Sequence, residues 1–384
     1  MNLSLLLDRS REAKRLTGKN IVTQIREILR LRKGSGRLGV SEYFDYGLFD
    51  DEKNDEKSRQ AFVGWNGETN INDHFNKSEW AALSLDKIVF YTFLEGAGIP
   101  YPKVDALYSI NNRFMRGTET LTSAGALADY LRTKANYPLF TKPSHGNFGR
   151  GSFFLSGYDP QNDHVVFNDG STEAVSSFTE SLETKLSGGY IFQQVFNPPS
   201  ALVDICGPRS STVRVVVVID KEGAKLLSAV WKIPTGNNVI DNFQHGRTGN
   251  LVSSVNVQTG EIKRIIGQGA DGEFIEVTEH PNTGKPLLPL TLPDWPQLET
   301  LCFQSARVLP GIRLLHFDIA LSENGPLLLE INYRGNIDLH QHASGKGFLS
   351  DQLISAMQDQ TAYRQEIKQI IQKTLREQAG SSGA

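Results

Sequence analysis

The feature that most constrains the fold is a pair of apolar segments near residue 320, each of which contains an acidic residue. The segments read His316-Phe317-Asp318-Ile319-Ala320 and Leu329-Glu330-Ile331-Asn332, and a short polar stretch with Asn324-Gly325 separates them. This pattern predicts a β-hairpin. A carboxylate that is buried in an apolar strand without a partner costs several kcal/mol. We therefore expect Asp318 and Glu330 to face a cleft and to bind a cation there.

The ligand atoms that this hairpin offers are oxygens. Asp318 and Glu330 supply carboxylates and Asn332 supplies an amide oxygen, and such a set suits Mg²⁺. Mg²⁺ commonly links a protein carboxylate to a substrate phosphate. Taken alone, the motif leaves open a plain hairpin whose acidic side chains face solvent.

The turn of this hairpin predicts its register. Side chains alternate between faces along a strand, so Asp318 must lie opposite Glu330 for both to reach one metal pair. A three-residue loop, Glu323-Asn324-Gly325, gives this pairing, whereas a two-residue Asn324-Gly325 turn would place Asp318 opposite Ile331. Gly325 suits the left-handed position of the longer loop. We therefore predict a loop of odd length.

A second segment joins a lysine to a glycine-rich loop. Lys142 follows a short apolar strand, and Gly146, Gly149 and Gly151 come next with Arg150 among them. Glycines let backbone N–H groups approach phosphate oxygens and let a loop close over a ligand. The spacing matches neither a P-loop nor a dinucleotide-binding motif, so an ordinary turn stays an alternative.

Two more segments place polar residues where a function is a reasonable explanation. Arg214 lies within the β-branched run 212–218, where it is either a surface charge on an edge strand or a contact to an anion in a cleft. The polar segment 239–249 is long for a hairpin loop, and long loops in compact domains are commonly functional.

The histidines favour simpler interpretations. His316 is predicted to point to the strand face opposite Asp318 and to pack in the core. His340 and His342 lie two residues apart, but without further ligands nearby in the sequence a metal site there is not favoured.

Composition restricts the class of protein. The chain has 384 residues and a formal net charge of −3, which favours two or three domains and argues against a dedicated nucleic-acid-binding protein. Two cysteines without a CxxC pair exclude a disulfide scaffold and a zinc-finger-like module. No apolar stretch reaches the length of a membrane span. We expect a cytoplasmic protein without a membrane or nucleic-acid partner.

Periodicity predicts an α+β chain in which helical blocks and antiparallel strands are segregated. The first 85 residues are predicted to be mostly helical, with the charged stretch Asp50 to Arg59 as a solvated loop. Helices are further predicted from an N-cap at Asp86 to Gly96, over 122–134 and 296–308, and at the end of the chain. Strands are predicted over 138–141, 152–155, 165–168, 190–196, 212–219, 225–230, 251–257, 314–321 and 327–331.

The order of these motifs resembles the ATP-grasp superfamily over residues 78–345. The motifs in question are Lys87, Lys142 before the glycine-rich loop, Gln193-Gln194-Val195, Arg214, Asp318 and Glu330-Ile331-Asn332. Within that superfamily the chain is most similar to the sugar-transfer-associated ATP-grasp family. The pointers are Trp231-Lys232, Asp241-Asn242-Phe243, Gly246 and Val257-Gln258-Thr259-Gly260-Glu261, with weaker support from residues 36–65.

The resemblance implies an ATP-grasp fold, in which two α+β subdomains clasp ATP between antiparallel sheets, with a mostly helical N-terminal extension. It implies four parts: an extension over 1–85, the start of the core over 86–135, a central lid over 136–200, and a C-terminal subdomain with the metal site over 201–384.

The resemblance also implies roles for individual residues. ATP phosphates would be held by Lys87 and Lys142, and the loop that closes over them would comprise Gly146, Asn147, Phe148, Gly149, Arg150, Gly151 and Ser152. The adenine slot would be lined by Gln193, Gln194 and Val195. Two Mg²⁺ ions, for which Mn²⁺ can substitute, would be bound by Asp318, Glu330 and Asn332, with Glu330 bridging. The catalytic residues would be Arg214, Asn242 and Lys142.

Substrate contacts are implied less specifically. The candidates are Asp241, Arg247, Arg334 and Asn336. The segment after the metal motif reads Tyr333-Arg334-Gly335-Asn336 instead of the Asn-Pro-Gly of many relatives, which leaves the contacts in that segment open.

The activity implied is that of an ATP-dependent carboxylate–amine ligase. Phosphorylation of a substrate carboxylate would give an acyl-phosphate, and an amine would then form an amide or peptide bond, with release of ADP and phosphate. The substrates would be a small-molecule carboxylate and an amine, such as an amino acid, a peptide or an amino sugar. Two alternatives stay open: a phosphotransferase acting on a hydroxyl, and a non-catalytic nucleotide-binding partner of a glycan-modifying pathway.

Overall fold

The computed structural model describes residues 3–146, 149–185, 188–236, 238 and 241–381. Most of the N-terminal region is helical, as predicted. The α-helices are α1 (Leu3–Thr17), α2 (Ile21–Lys33), α3 (Val40–Asp45), α4 (Glu56–Ala61), α5 (Trp65–Phe75), α6 (Ala82–Leu85), α7 (Lys87–Ala97), α8 (Ala124–Thr133), α9 (Val175–Lys185), α10 (Ser200–Cys206), α11 (Trp295–Arg307), α12 (Asp338–Ser344) and α13 (Asp351–Ser381).

The strands form two seven-stranded sheets. The first sheet has the order β2-β1-β7-β3-β4-β5-β6 and the second β12-β11-β10-β9-β8-β13-β14. All the pairings are antiparallel except that of β1 with β2. The strands are β1 (Val104–Tyr108), β2 (Glu119–Leu121), β3 (Leu139–Pro143), β4 (Phe153–Asp159), β5 (His164–Phe167), β6 (Thr172–Ala174), β7 (Tyr190–Gln194), β8 (Thr212–Asp220), β9 (Gly223–Ile233), β10 (Leu251–Val255), β11 (Ile262–Gln268), β12 (Phe274–Glu276), β13 (Leu314–Ser322) and β14 (Gly325–Asn332).

The α+β class predicted from periodicity is confirmed, and each strand and helix predicted by range has a counterpart. Five strands were not predicted, namely β1, β2, β6, β11 and β12. Three of these have only three residues, too few to show an alternation. The four-part division of the chain stays a prediction; the first sheet combines strands from its second and third parts.

The prediction of a solvated loop over Asp50 to Arg59 is wrong at its end. Helix α4 begins at Glu56, and the Arg59 side chain is buried. Its Nε donates to the Leu48 carbonyl at 2.7 Å, and its guanidinium also pairs with Asp51. A run of charges therefore includes one arginine that holds α4 to the loop preceding it.

Helix α7 packs against both sheets, and it begins at a side-chain cap. The carboxylate of Asp86 accepts hydrogen bonds from the backbone N–H groups of Ile88 and Val89, at 3.0 and 3.3 Å. Such an N-cap contributes about 1 kcal/mol. Phe90 and Leu94 of this helix are buried in one core with residues of both sheets. The cap therefore fixes Lys87, the first residue of the helix, next to the sheets.

The second sheet is buried on both faces. Val213, Val215 and Val217 of β8 belong to the core that contains α7 and α11, whereas Val216 and Val218 pack with α5 and α13. A strand that is covered on both sides needs a nearly continuous apolar run. The face that packs with α5 and α13 is the one that carries the candidate site.

Candidate functional site

The hairpin β13–β14 has the predicted pairing at the site but not the predicted loop. Asp318 lies opposite Glu330, as required for a shared metal site. The loop, however, has two residues, because Ser322 pairs with Gly325. The register then changes by one residue at Leu329, which has no partner on β13. The prediction of an odd-length loop is therefore wrong, and a β-bulge supplies the extra residue instead.

A row of three charged side chains crosses β8, β13 and β14. Arg214 and Glu330 both lie opposite Asp318, so all three share one face. Arg214 binds Asp318 in a bidentate manner, with Nε and Nη2 at 2.7 and 2.6 Å from the two carboxylate oxygens. Asp318 is buried, and 15% of the Arg214 side chain is exposed. Arg214 therefore lies on a central strand, not on an edge.

Lys232 on β9 completes this charge network, and the sequence analysis gave it no role in the site. Its Nζ lies 3.6 Å from Asp318 and 3.4 Å from Asp241, with only 5% of the side chain exposed. Asp241 also accepts hydrogen bonds from the backbone N–H and hydroxyl of Thr212, at 2.7 and 2.6 Å. The structure thus places the carboxylate of Asp241, a predicted substrate contact, against Lys232 and Thr212.

The two carboxyl groups of the hairpin differ in their pKa values. Burial would raise the pKa of Asp318, but Arg214 and Lys232 more than offset it and hold that pKa well below the usual range. Burial and the neighbouring Asp318 together raise the pKa of Glu330. Because each carboxylate repels the other, the site favours the binding of an additional cation.

Two lysines approach Glu330 from the other side. Lys142 on β3 donates to the Tyr91 hydroxyl at 3.0 Å, and that hydroxyl donates to the carbonyl of the bulged Leu329 at 2.9 Å. Lys87 donates to the Gly146 carbonyl at 2.9 Å. Burial lowers the pKa of both lysines, that of Lys142 to about 8. Both ammonium groups therefore have neutral acceptors and lie within the field of Glu330.

The glycine-rich loop is described in part. Gly146, Gly149 and Gly151 have φ values of 139°, 69° and 73°, a region that residues with a side chain rarely adopt. Arg150 is exposed and Ser152 is half-buried at the start of β4. Asn147 and Phe148 lie outside the described residues. The predicted roles of this loop stay predictions.

The two glutamines of the predicted adenine segment point their side chains in different directions. Gln193 is buried and donates to the Pro102 carbonyl at 3.0 Å, whereas the exposed Gln194 donates to Asp105 at 3.0 Å. Val195 follows the end of β7 and is half-buried. Because both amides are engaged with the protein, backbone groups and Val195 are the parts of this segment left for a base.

The remaining candidates are more scattered. Arg334 is exposed and forms a bidentate pair with Asp73, at 2.7 and 2.9 Å. Arg247 is exposed and donates to the Gln244 carbonyl at 3.1 Å. Asn242 and Asn336 are half-buried. The structure does not bring Arg334 and Arg247 to the charged row.

The predicted side-chain direction of His316 is wrong. His316 lies two residues before Asp318 and opposite Asn332, so it shares their face. It is buried against Gly335, where any Cβ would approach the ring to about 2 Å, and burial lowers its pKa to about 3. Both ring nitrogens and Nδ2 of Asn332 are buried without a hydrogen-bond partner among the described residues. The His316 ring is therefore neutral and lies at one end of the site.

The residues present fit the divalent cation that the sequence predicted. Asp318 and Glu330 place two carboxylates side by side, and Asn332 follows on the same face with an amide oxygen to offer. Oxygen ligands of this kind suit Mg²⁺. The repulsion between the carboxylates is the feature that a cation would relieve.

Several solved structures match about three quarters of the chain. Biotin carboxylase from Campylobacter jejuni is 14% identical, with a TM-score of 0.42, over 74% of this chain and 48% of that one. D-alanine-D-alanine ligase from Helicobacter pylori is 13% identical, with a TM-score of 0.40, over 74% and 63%. The ATP-grasp ligase PsnB with a minimal precursor is 14% identical, with a TM-score of 0.38, over 75% and 63%. The chain thus spans less than two thirds of the length of each.

None of the curated proteins matches the chain. Within the described residues, no helix combines the length and the apolar character needed to cross a bilayer. A family model described as sugar-transfer associated ATP-grasp matches residues 67–356, well over half of the sequence. The ATP-grasp fold that the motifs predicted is thereby confirmed. The chain belongs to the sugar-transfer associated ATP-grasp family.

Proposed function

We propose that the chain is an ATP-dependent carboxylate–amine ligase that works through an acyl-phosphate. The observation that carries this proposal is the position of Lys87 and Lys142 beside Glu330, which itself stands in a row with Asp318 and Arg214. Two lysines with neutral hydrogen-bond acceptors on one side, and a carboxylate pair on the other, suit a polyphosphate with its divalent cation.

ATP-grasp enzymes generally use ATP and Mg²⁺, and the residues that would hold two such ions here are Asp318, Glu330 and Asn332. When bound, the metal neutralises charge on the phosphate oxygens and orients them. The ammonium groups of Lys87 and Lys142 would contact the same phosphates. The loop from Gly146 to Ser152 would exclude water from them, and Val195 with the backbone near Gln193 and Gln194 would line the adenine slot.

Arg214 would act on the group that is transferred. Its two bonds to Asp318 use Nε and Nη2, so Nη1 would be the donor to the transferred group. A substrate carboxylate oxygen would attack the terminal phosphorus, ADP would leave, and a donor on Nη1 would stabilise the charge that develops. An amine nitrogen would then attack the acyl carbon, lose a proton and expel phosphate. We propose Asn242 as a further contact in the same cleft.

The direct test is product analysis. The full chain is incubated with Mg²⁺, ATP and pools of amino acids, short peptides and amino sugars, and ADP, phosphate and product masses are measured. A ligase releases ADP and free phosphate in equal amounts with an amide product, and hydroxylamine in place of the amine gives a hydroxamate. A stable phosphorylated product would assign the phosphotransferase alternative instead. Nucleotide binding without turnover in any pool would favour the non-catalytic alternative.

A further inference from the structure

A second set of metal-binding side chains lies apart from the carboxylate hairpin. His245, Asp338 and His342 each offer one ligand atom, and these three atoms lie within 4.8 Å of one another. Asp338 and His342 are one turn apart on α12, so they share a helix face. His245 comes from the polar loop between β9 and β10. The chain therefore brings together two imidazoles and one carboxylate from segments about ninety residues apart.

We propose that this cluster binds a borderline divalent cation of the Zn²⁺ type. In a tetrahedral zinc site, bonds of about 2.0–2.2 Å place neighbouring ligand atoms about 3.3 Å apart. Nε2 of His245 is already 3.4 Å from Oδ2 of Asp338. The ligand atoms lie up to 4.8 Å apart, so the most distant of them must move by roughly 1.5 Å to reach tetrahedral spacing. The side chain of His245 is exposed, and a rotation about its side-chain bonds can supply this movement.

The ligand chemistry separates this cluster from the hairpin. Imidazole nitrogens suit zinc and its neighbours in the transition series, whereas Mg²⁺ prefers a set made of oxygens. Three protein ligands also leave a fourth position for water or for an oxygen atom of a substrate. The two clusters thus favour different metals in one protein.

The surroundings hold His342 in place, and the backbone conformation of the loop positions His245. The ring of His342 packs between Tyr46 and Phe274, with centroid separations of 4.8 and 4.7 Å. The backbone of His245 is left-handed, with φ of 56°, and so is that of Gln244, with φ of 46°. Two such residues in succession are unfavourable for side chains, and they turn His245 toward α12.

His340, which the sequence placed beside His342, has a different environment. Two residues along a helix point about 200° apart, and Nδ1 of His340 contacts the Ser228 hydroxyl at 2.7 Å beneath the sheet. The metal site therefore uses one histidine of that pair. Spacing along the sequence does not indicate that His245 and Asp338 lie beside His342.

The test is metal binding by the full chain after treatment with a chelator. Saturating Mg²⁺ first occupies oxygen sites, and Zn²⁺ is then added in a calorimeter while Co²⁺ is followed by its visible absorption in a parallel titration. We expect one Zn²⁺ per chain and the intense bands of tetrahedral Co²⁺. His245→Ala and His342→Gln should each weaken Zn²⁺ binding by about 100-fold or more, since loss of a direct ligand exceeds the 10- to 100-fold effect of losing an outer partner.

Two variants serve as controls. His164→Ala removes a histidine of the first sheet and should bind Zn²⁺ as the unaltered chain does. Glu330→Gln should also leave Zn²⁺ binding unchanged, which shows that the ion is not in the carboxylate hairpin. The proposal is overturned if the unaltered chain binds no Zn²⁺ in Mg²⁺, or if His245→Ala binds it equally well. His245 is exposed, so circular dichroism of that variant should match the unaltered chain and the result is decisive.

Discussion

The two sides of the proposed nucleotide site accommodate buried charge in opposite ways. On the second sheet, Asp318 is neutralised within the protein by Arg214 and Lys232. Beside it, Lys87 and Lys142 donate their hydrogen bonds to a carbonyl and a hydroxyl, which carry no charge. Asp318 therefore has its countercharges within the protein, whereas Lys87 and Lys142 have positive charge to offer a ligand.

This difference distinguishes residues that stabilise the fold from residues that would bind a ligand. Breaking a buried ion pair leaves an uncompensated charge and costs stability. Removing a buried lysine whose partner is neutral costs the fold much less, because the remaining hydroxyl or carbonyl is easier to satisfy. Stability should therefore depend on the ion pairs of Asp318, and nucleotide affinity on Lys87 and Lys142.

The largest effect is expected for Glu330→Gln. The substitution keeps the size of the side chain and removes its charge, so turnover should fall about 1000-fold, equivalent to about 4 kcal/mol. The fold should not weaken, because the repulsion between Glu330 and Asp318 disappears. ADP release and the urea midpoint measure the two effects. Glu323→Gln, in the exposed turn of the same hairpin, is the matched control, and equal turnover in the two variants would refute the site.

Arg214→Met should lower stability as well as turnover, because Arg214 both pairs with Asp318 and is the proposed contact to the transferred group. It leaves the Asp318 carboxylate buried with fewer countercharges, and the expected loss is about 3 kcal/mol in the free energy of unfolding. Denaturant unfolding with and without the substitution measures this loss. Arg334→Met breaks the exposed pair with Asp73 and should cost less than about 1 kcal/mol. Similar losses in both variants would mean that burial of the ion pair is not what matters.

Lys142→Met should act mainly on binding. We expect the affinity for Mg·ATP to fall about 10- to 30-fold, that is, by roughly 1.4–2 kcal/mol, with a small change in stability. Lys232→Met should show the reverse pattern, because its ammonium group lies between Asp318 and Asp241. Calorimetry and urea unfolding on both variants test the comparison. The proposed division between binding and stability is wrong if the two lysine variants lose affinity and stability to the same extent.

The smallest effect is a pH dependence of the same affinity. The pKa of Lys142 in the free protein is about 8, because burial lowers it. Below that pH the ammonium form already exists and the affinity for Mg·ATP should be constant. Above it each bound lysine must first take up a proton, so affinity should fall by up to about tenfold per pH unit. Lys142→Arg should remove this dependence between pH 7 and 9, and a slope that persists in that variant would assign the titration elsewhere.

Much of this arrangement could be predicted from the sequence where chemistry and spacing coincide. Carboxylates within apolar strands indicated the site, and the pairing of Asp318 with Glu330 is confirmed. The direction of His316 could also have been predicted, because residues two apart on a strand share a face. The loop was wrong because a bulge at Leu329 follows from no local signal in the sequence.

Other features could not be predicted because they depend on distant partners. Lys232 lies in an apolar strand as Arg214 does, but its contact with Asp241 exists only once the loop has folded back. Tyr91 reads as one more apolar position of α7, yet its hydroxyl connects Lys142 to the carbonyl of Leu329. The N-terminal helices were predicted without a role, and α5 packs on the face of the sheet that carries the site.

The bulge at Leu329 has a consequence for insertions and deletions in this hairpin. With the two-residue loop alone, Glu330 would lie opposite Phe317 and point away from Asp318. The hairpin therefore carries one spare residue between its turn and its site. Loss of Leu329 should keep Asp318 opposite Glu330 and preserve Mg²⁺ binding, which calorimetry of the deletion variant measures. A gain of one residue there would need a second bulge, so the length of this segment should tolerate shortening better than lengthening.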